Sequence, residues 1–262
     1  MILVTGSEGF IAKELINNLK DQKIIDLDIK TGHDLSKVNA LDEYNNIDII
    51  YHFASANKNY FYENADRYYI NNRKINNNII KLAKRTNAFV VFASSTDIYG
   101  DSRNAKETNE FKIPNNLKGL YILDKILMEN DLRINNIKHC NARISNVFGK
   151  NQGIDNSIIS LLSYQINHEI KSEFTNSTQS FIDIRDCIQA LIKIGSEKIE
   201  GDINISNESL SIESLYKILC LHFGKAENYS AKKSKSIRII NNDKLKKFYS
   251  VKYSLKEFID GI

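Results

Sequence analysis

The sequence predicts an α/β fold: a doubly wound parallel sheet with a small C-terminal lobe. Three observations carry this. Short apolar runs alternate with helix-length segments through the first half of the chain, the pattern of βαβ units joined by right-handed crossovers. The runs IIDL, IDIIYHF and FVVFA are almost continuously apolar, as strands buried on both faces must be. At 262 residues the chain fills one large core or a core with an appendage.

Composition narrows the class further. With 42% hydrophobic, 10% aromatic and 26% charged residues there is ample material for a packed core, which excludes a disordered or fibrous chain. Thirty-six basic against 32 acidic side chains leave a net charge of +4, spread along the chain. Nucleic acid would call for a clustered basic stripe, so no such partner is expected. Eleven glycines and one proline argue against linkers. Cys140, Cys187 and Cys220 are odd in number and far apart, forming neither a disulfide framework nor a zinc or other metal site. No apolar run approaches the ~20 residues of a membrane span. MILVTG already reads as a strand entering a turn, so the expectation is a reduced, cytoplasmic protein without a leader.

In chain order, strands are predicted at Ile2–Val4, Lys23–Leu27, Ile47–Phe53, Ala88–Ala93 and Ile137–Arg143, with helices at 10–20, 64–86 and 117–134 between them. After Gly149 the pattern loosens. A helix at 154–167, a short strand near Phe174, a helix at 184–195, a strand at Asp202–Ile205 and a helix at 212–223 follow. The basic run Lys232–Lys235 reads as a solvated loop before a final strand and the segment Asp243–Phe248.

The turn after the first strand reads Thr5-Gly6-Ser7-Glu8-Gly9-Phe10-Ile11-Ala12. Its glycines permit a tight turn and let the backbone approach a pyrophosphate, which then sits on the N-terminus of the following helix. Ala12 occupies the third small position, suited to close helix–strand packing. The second strand ends in Asp26-Leu27-Asp28, where an acid accepts from both ribose hydroxyls of a dinucleotide. Asp28, at the very end, is the better placed of the two, and a carboxylate there favours NAD by repelling a 2′-phosphate.

Tyr121-Ile122-Leu123-Asp124-Lys125 lies in a helical pattern, and its i, i+4 spacing puts the phenol and the ammonium on one face. A nearby cation favours tyrosinate, so the tyrosine pKa is expected to fall toward the working range of a general acid/base. The fourth strand runs into Ser94-Ser95-Thr96-Asp97-Ile98-Tyr99-Gly100, which places hydroxyls at the end of a parallel strand where such sheets bind ligands. His52 and the pair His139-Cys140 read as packed residues.

Taken together, these motifs resemble an extended short-chain dehydrogenase/reductase of the NAD-dependent epimerase/dehydratase family, whose members mostly modify nucleotide-activated sugars. The matching pieces run in family order: TGSEGFIA, the DLD strand end, Asp34-Leu35, Asp48 to Ala54, Asn72 with NIIKLA, SSTDIYG, YILDK with Glu129, Arg143 to Gly149, FIDIRDCIQAL, GDINIS and NDKL. The resemblance implies a Rossmann-like domain over 1–147 plus the helix near 182–195, and a small substrate lobe over 148–181 and 196–262. It implies Tyr121 as the acid/base, Lys125 on the nicotinamide ribose and Ser95 on the reacting oxygen. Gly6, Gly9, Phe10 and Ile11 would hold the pyrophosphate, Asp28 the adenosine ribose, and Asp34 and Leu35 the edge of the adenine. Phe53, Ala54 and Ser55 would line the cofactor trough, while Thr96, Asn146 and Gln179 would face the substrate.

Departures from the family pattern bear on the substrate. Gln179 replaces the usual arginine that grips the sugar-nucleotide diphosphate, leaving Lys233, Lys235 or Arg238 to substitute or the substrate to be atypical. Lys150 stands where a proline is usual, and Thr96-Asp97 only partly matches the extra acid/base pair of sugar 4,6-dehydratases. The resulting expectation is an NAD-dependent oxidoreductase, with NADP as the alternative cofactor, acting on a nucleotide sugar as a keto-sugar reductase or dehydrogenase of surface-polysaccharide biosynthesis. An epimerase or 4,6-dehydratase is the alternative, and a non-catalytic NAD(P)-binding protein is a further one. The resemblance also implies a homodimer built on the helix of the Tyr-x-x-x-Lys motif and the helix before it. Leu123, Ile126 and Leu127 on one, and Ile75, Ile79 and Leu82 on the other, would be buried against either the sheet or a partner.

Overall fold

The computed structural model describes residues 1–55, 64–115, 117–150, 152–154 and 157–261. Two compact units divide the chain: Met1–Gly100 with Glu110–Arg143 and Ile188–Ile203, and Asp101–Asn109 with Ile144–Cys187 and Asn204–Ile262.

The first unit is organised on β1 (Ile2–Thr5), β2 (Ile24–Leu27), β3 (Ile49–His52), β4 (Phe89–Ser95), β6 (His139–Ile144) and β9 (Gly201–Ile205), in the order β2-β1-β3-β4-β6-β9. β1 pairs in parallel with both β2 and β3, and β3 with β4. From β1 the chain first steps outward to β2 and then returns to add β3 on the other side. The switch point of the doubly wound sheet therefore lies between the carboxyl ends of β1 and β3, where open α/β sheets bind ligands.

Apolar spacing decides how the helices cover this sheet. The Ala65–Thr86 helix is capped by the Asn64 side chain on the Arg67 amide and closed by Asn87 in a left-handed conformation at φ 55. Its Ile75, Ile79 and Leu82 share one buried core with Leu3, Ile50, Val90 and Phe92 of the strands and with Met128 and Leu132 of the Leu117–Ile134 helix. The alternative left open by the sequence is thus decided for these three residues: they fill the chain's own core. Arg73 and Asp131 form an ion pair linking the two helices.

The second unit carries a five-stranded sheet in the order β10 (Glu208–Ser211), β8 (Ser172–Asp183), β11 (Tyr229–Ile240), β5 (Ser102–Ala105), with β7 (Asn146–Phe148) also pairing β8. Its core gathers Phe148, Phe181, Leu162, Ile166, Leu215 and Leu219. Two expectations change here. The short strand near Phe174 is a 12-residue strand that carries both neighbours. The Lys232–Lys235 run is no loop but the middle of β11, because backbone pairing with β8 on one edge leaves the lysine side chains free to face water. The helix expected from 154 begins at Ile158 under a Ser157 cap, and residues 155 and 156 lie outside the described residues. Among the described residues, no helix is long and apolar enough to cross a membrane.

Candidate active site

The turn after β1 is shaped by Gly6, whose φ of +70 lies in the left-handed region. A Cβ there would come within 2.7 Å of the Ala54 amide nitrogen and 2.9 Å of the Phe53 carbonyl carbon. Gly6 and Ser7 both donate their amides to the Leu27 carbonyl, at 2.8 and 3.3 Å, tying the turn to the end of β2. Gly9 is the N-cap of the Phe10–Asn18 helix and supplies no side-chain cap, so the first amides of that helix stay available to an anion. The Ser7 hydroxyl is buried without a hydrogen-bond partner among the described residues. This glycine cradle, uncapped helix end and orphaned hydroxyl fit a dinucleotide pyrophosphate.

Gly6→Ala is expected to lower stability by more than about 1 kcal/mol, since both the backbone conformation and the space oppose a methyl group. Urea unfolding checks this; a variant as stable as the parent would contradict the tight approach.

Asp28 follows β2 and is half-buried. Its carboxylate accepts the Glu8 amide at 3.0 Å and the Lys30 amide at 2.9 Å, joining the glycine turn to the strand end expected to bind ribose. Asp34 accepts the amide and hydroxyl of Ser36 at 2.9 and 2.7 Å, and chiefly this hydroxyl contact holds its carboxyl below the usual range. Leu35 is buried in the core, and Ser55 donates to Asn72 Oδ1 at 3.4 Å.

Behind the turn, Thr5 Oγ1 meets His52 Nδ1 at 2.8 Å, and His52 Nε2 meets Asn76 Oδ1 at 3.0 Å. Burial drives the His52 pKa down to about 4, against the opposing effect of the hydrogen bond that His52 Nε2 donates to Asn76 Oδ1. Since an unfolded histidine titrates near ~6.5, the unfolded chain takes up a proton that the fold refuses. This stabilising contribution is present above about pH 6.5 and is lost as pH falls toward 4, amounting to about 3 kcal/mol at most. Denaturant midpoints measured across that window should drop with acidity, and His52→Gln should flatten the drop.

β4 delivers the hydroxyls. Ser95 ends the strand and caps the Thr96–Tyr99 3-10 turn, its Oγ accepting the Asp97 amide at 3.1 Å. Thr96 is buried beside it, and Asp97 pairs with Lys118 at 2.9 Å. The Leu117–Ile134 helix brings Tyr121 into hydrogen-bonding contact with Ser95. Lys125 Nζ donates to the Ala93 carbonyl at 2.8 Å, lies 4.9 Å from the Phe92 ring centre and 5.6 Å from that of Tyr121. The predicted trio of Ser95, Tyr121 and Lys125 is therefore assembled at the carboxyl end of β4.

One expectation about this trio is reversed. Burial pushes the Tyr121 pKa well above the ordinary phenol value, although its contact with Ser95 works the other way. Desolvation of the phenolate is the dominant cause, and the nearby Asp97, Tyr68 and Asp124 add to the rise. Tyr121 rests as a neutral phenol.

In the second unit, Asn146 Nδ2 donates to the Ser180 carbonyl at 2.9 Å and to Gln179 Oε1 at 3.4 Å, while Gln179 Nε2 donates to Ser177 Oγ at 2.8 Å. Two of the three predicted substrate residues, Asn146 and Gln179, thus lie together on neighbouring strands β7 and β8.

The sequence model of the NAD dependent epimerase/dehydratase family matches residues 2–206, most of the chain. The chain belongs to this family. Within the epimerase/dehydratase family, a similar curated protein is UDP-glucuronic acid decarboxylase 6 of Arabidopsis thaliana, 26% identical over 242 residues, covering 79% of this chain and 69% of that one. Among solved structures, the UDP-glucose 4-epimerase of Thermus thermophilus in complex with NAD shares 18% identity and a TM-score of 0.86, covering 99% of this chain and 96% of the other. The dTDP-glucose 4,6-dehydratase of Bacillus anthracis with NAD shares 16% identity and a TM-score of 0.81, covering 99% and 94%. At such identities the structural likeness is one of fold.

Two features of this epimerase/dehydratase chain escaped the sequence reading. The Asp97–Lys118 ion pair flanks the trio, with Lys118 three residues before Tyr121 on the same helix. Glu129, four residues beyond Lys125, takes a buried ion pair with Arg143 at 2.7 Å. The i, i+4 repeat of Tyr121, Lys125 and Glu129 was the available clue, but nothing local points to Arg143.

Proposed function

We propose that this protein is an NAD-dependent enzyme that oxidises a ring hydroxyl of a nucleotide-activated sugar and returns the hydride within the same catalytic cycle. The carrying observation is the Ser95–Tyr121–Lys125 cluster at the end of β4 in a member of this family. The first unit is the cofactor domain, with Gly6, Gly9, Phe10 and Ile11 on the pyrophosphate and Asp28 on the adenosine ribose. Asp34 and Leu35 border the adenine, and Phe53, Ala54 and Ser55 line the trough. The second unit is the substrate lobe, where Asn146 and Gln179 meet the nucleotide sugar.

NAD supplies the hydride acceptor and donor. The chain supplies the proton chemistry: Ser95 hydrogen-bonds the reacting oxygen, and Tyr121 exchanges its proton. In the oxidation Tyr121 takes the hydroxyl proton as a phenolate, so the resting neutral phenol must first give up its proton to solvent. In the return step the phenol so re-formed donates that proton as the ketone is reduced. Lys125, fixed by the Ala93 carbonyl, holds the nicotinamide ribose. Asp28 favours NAD over NADP because a 2′-phosphate would meet its carboxylate.

A cycle that regenerates NAD is preferred to net reduction, because the similar proteins include epimerases, dehydratases and decarboxylases, none of these a net redox activity. Purified protein incubated with NAD and a panel of UDP- and dTDP-sugars tests the reading. Product formation without lasting NADH absorbance is expected. Stoichiometric NADH accumulation would instead establish a dehydrogenase. If no sugar is converted and none raises the melting temperature beyond NAD alone, the protein is a non-catalytic NAD binder.

A further inference from the structure

We propose that the buried Glu129–Arg143 pair is a positioning device that sets the Tyr-x-x-x-Lys helix at its working height on the end of β4; this rests on the function proposed above. Tyr121, Lys125 and Glu129 recur every four residues and share a helix face. Each meets one of the last three residues of β4. Tyr121 contacts Ser95, Lys125 takes the Ala93 carbonyl at 2.8 Å, and Ser94 Oγ donates to Glu129 Oε1 at 2.6 Å.

Arg143 extends the clamp to the far side of Ser95. Its Nε and Nη2 donate to the two Glu129 oxygens at 3.0 and 2.7 Å, a forked geometry that fixes direction as well as distance. Its Nη1 donates to the Tyr99 hydroxyl at 2.8 Å, and Nη2 also donates to Asp202 at 2.9 Å. Tyr99 closes the 3-10 turn that Ser95 opens. Ser95 therefore sits between two anchors, Ser94 on Glu129 and Tyr99 on Arg143.

Glu129 and Arg143 are 0% and 1% exposed, and two charges at such depth lose most of their hydration. An apolar pair of equal volume packs as well or better, so stability alone does not call for them. What an apolar pair cannot do is orient the hydroxyls of Ser94 and Tyr99. That orientation places Ser95 Oγ, and with it the partner of Tyr121.

Ser94→Ala and Tyr99→Phe each remove one hydroxyl and leave the ion pair whole. Each is expected to lower kcat by about 10-fold or more, the scale of a small misplacement, with KM and NAD affinity changed by less than about two-fold. Ser94→Thr, which keeps the hydroxyl, should recover most of the lost kcat. The double variant should fall short of the product of the single losses, as coupled sites do. A lower melting temperature with kcat unchanged would reduce the pair to a structural role and overturn the inference, as would a rise in KM alone.

Hydrogen exchange gives a readout that needs no substrate. Amides of residues 94–99 should exchange faster in Ser94→Ala while those of the glycine turn do not; equal exchange overturns the inference. If the parent protein converts no nucleotide sugar, the proposed function fails, and this exchange measurement alone decides the positioning role.

Discussion

Tyr121→Phe is expected to cut turnover by about 10²–10⁴-fold, the span of a lost general acid/base, while the variant still folds and binds NAD. Only one oxygen is removed, and the ring that stands 5.6 Å from the Lys125 ammonium stays in place. The residues proposed to hold NAD lie in the glycine turn and around Asp28, and none of their hydrogen bonds involves that oxygen. Titrating NAD by fluorescence and following turnover on the same preparation separates the two effects. Turnover within a few-fold of the parent would remove Tyr121 from the mechanism. The burial-raised pKa adds a sign. If the phenol donates its proton in the limiting step, the rate holds through neutral pH and falls only at alkaline pH, as the phenol ionises. A rate that climbs steadily from neutral to alkaline pH would point to tyrosinate as the limiting form instead.

The largest effect on stability is expected from Glu129→Ala. It strips Arg143 of its forked partner in a site 1% exposed, and an uncompensated buried charge costs about 3–5 kcal/mol. Asp202 remains 2.9 Å from the guanidinium, but its side chain is 20% exposed and it is also bound by Arg133, so it recovers only part of this. Glu129→Gln should cost less, because its amide oxygen still accepts from Ser94 or Arg143. The surface pair Lys13–Glu8, 55% and 33% exposed, sets the scale: Lys13→Ala should cost no more than about 1 kcal/mol. Urea midpoints of these variants give the comparison. A Glu129→Ala cost no greater than that of Lys13→Ala would show that the buried pair is not energetically closed.

The predicted trio was legible because its signals are local. A strand ending in hydroxyls is read from neighbouring residues, and a Tyr–Lys face needs only a four-residue spacing. The glycine turn and the Asp28 strand end are equally short-range patterns. The clamp was not legible in the same way. Glu129, Arg143 and Asp202 carry no shared pattern, and they meet only because the Leu117–Ile134 helix, β6 and β9 pack side by side. The second unit was the hardest to read. β5, β7 and β10 are three or four residues long, too short for periodicity to register. The Lys232–Lys235 run hides a strand because charge reports where side chains face, not how the backbone pairs.

By itself the sequence determined the strand–helix alternation, the placement of the glycine turn and the helical spacing of Tyr121 and Lys125. Each of these follows from steric rules acting over a few residues. Tertiary structure alone decided that Ile75, Ile79 and Leu82 fill the chain's own core, that Arg143 reaches Glu129, and that Tyr121 is held neutral. These depend on burial and on the loss of water around a group, quantities set by everything that packs against it rather than by its neighbours in the chain.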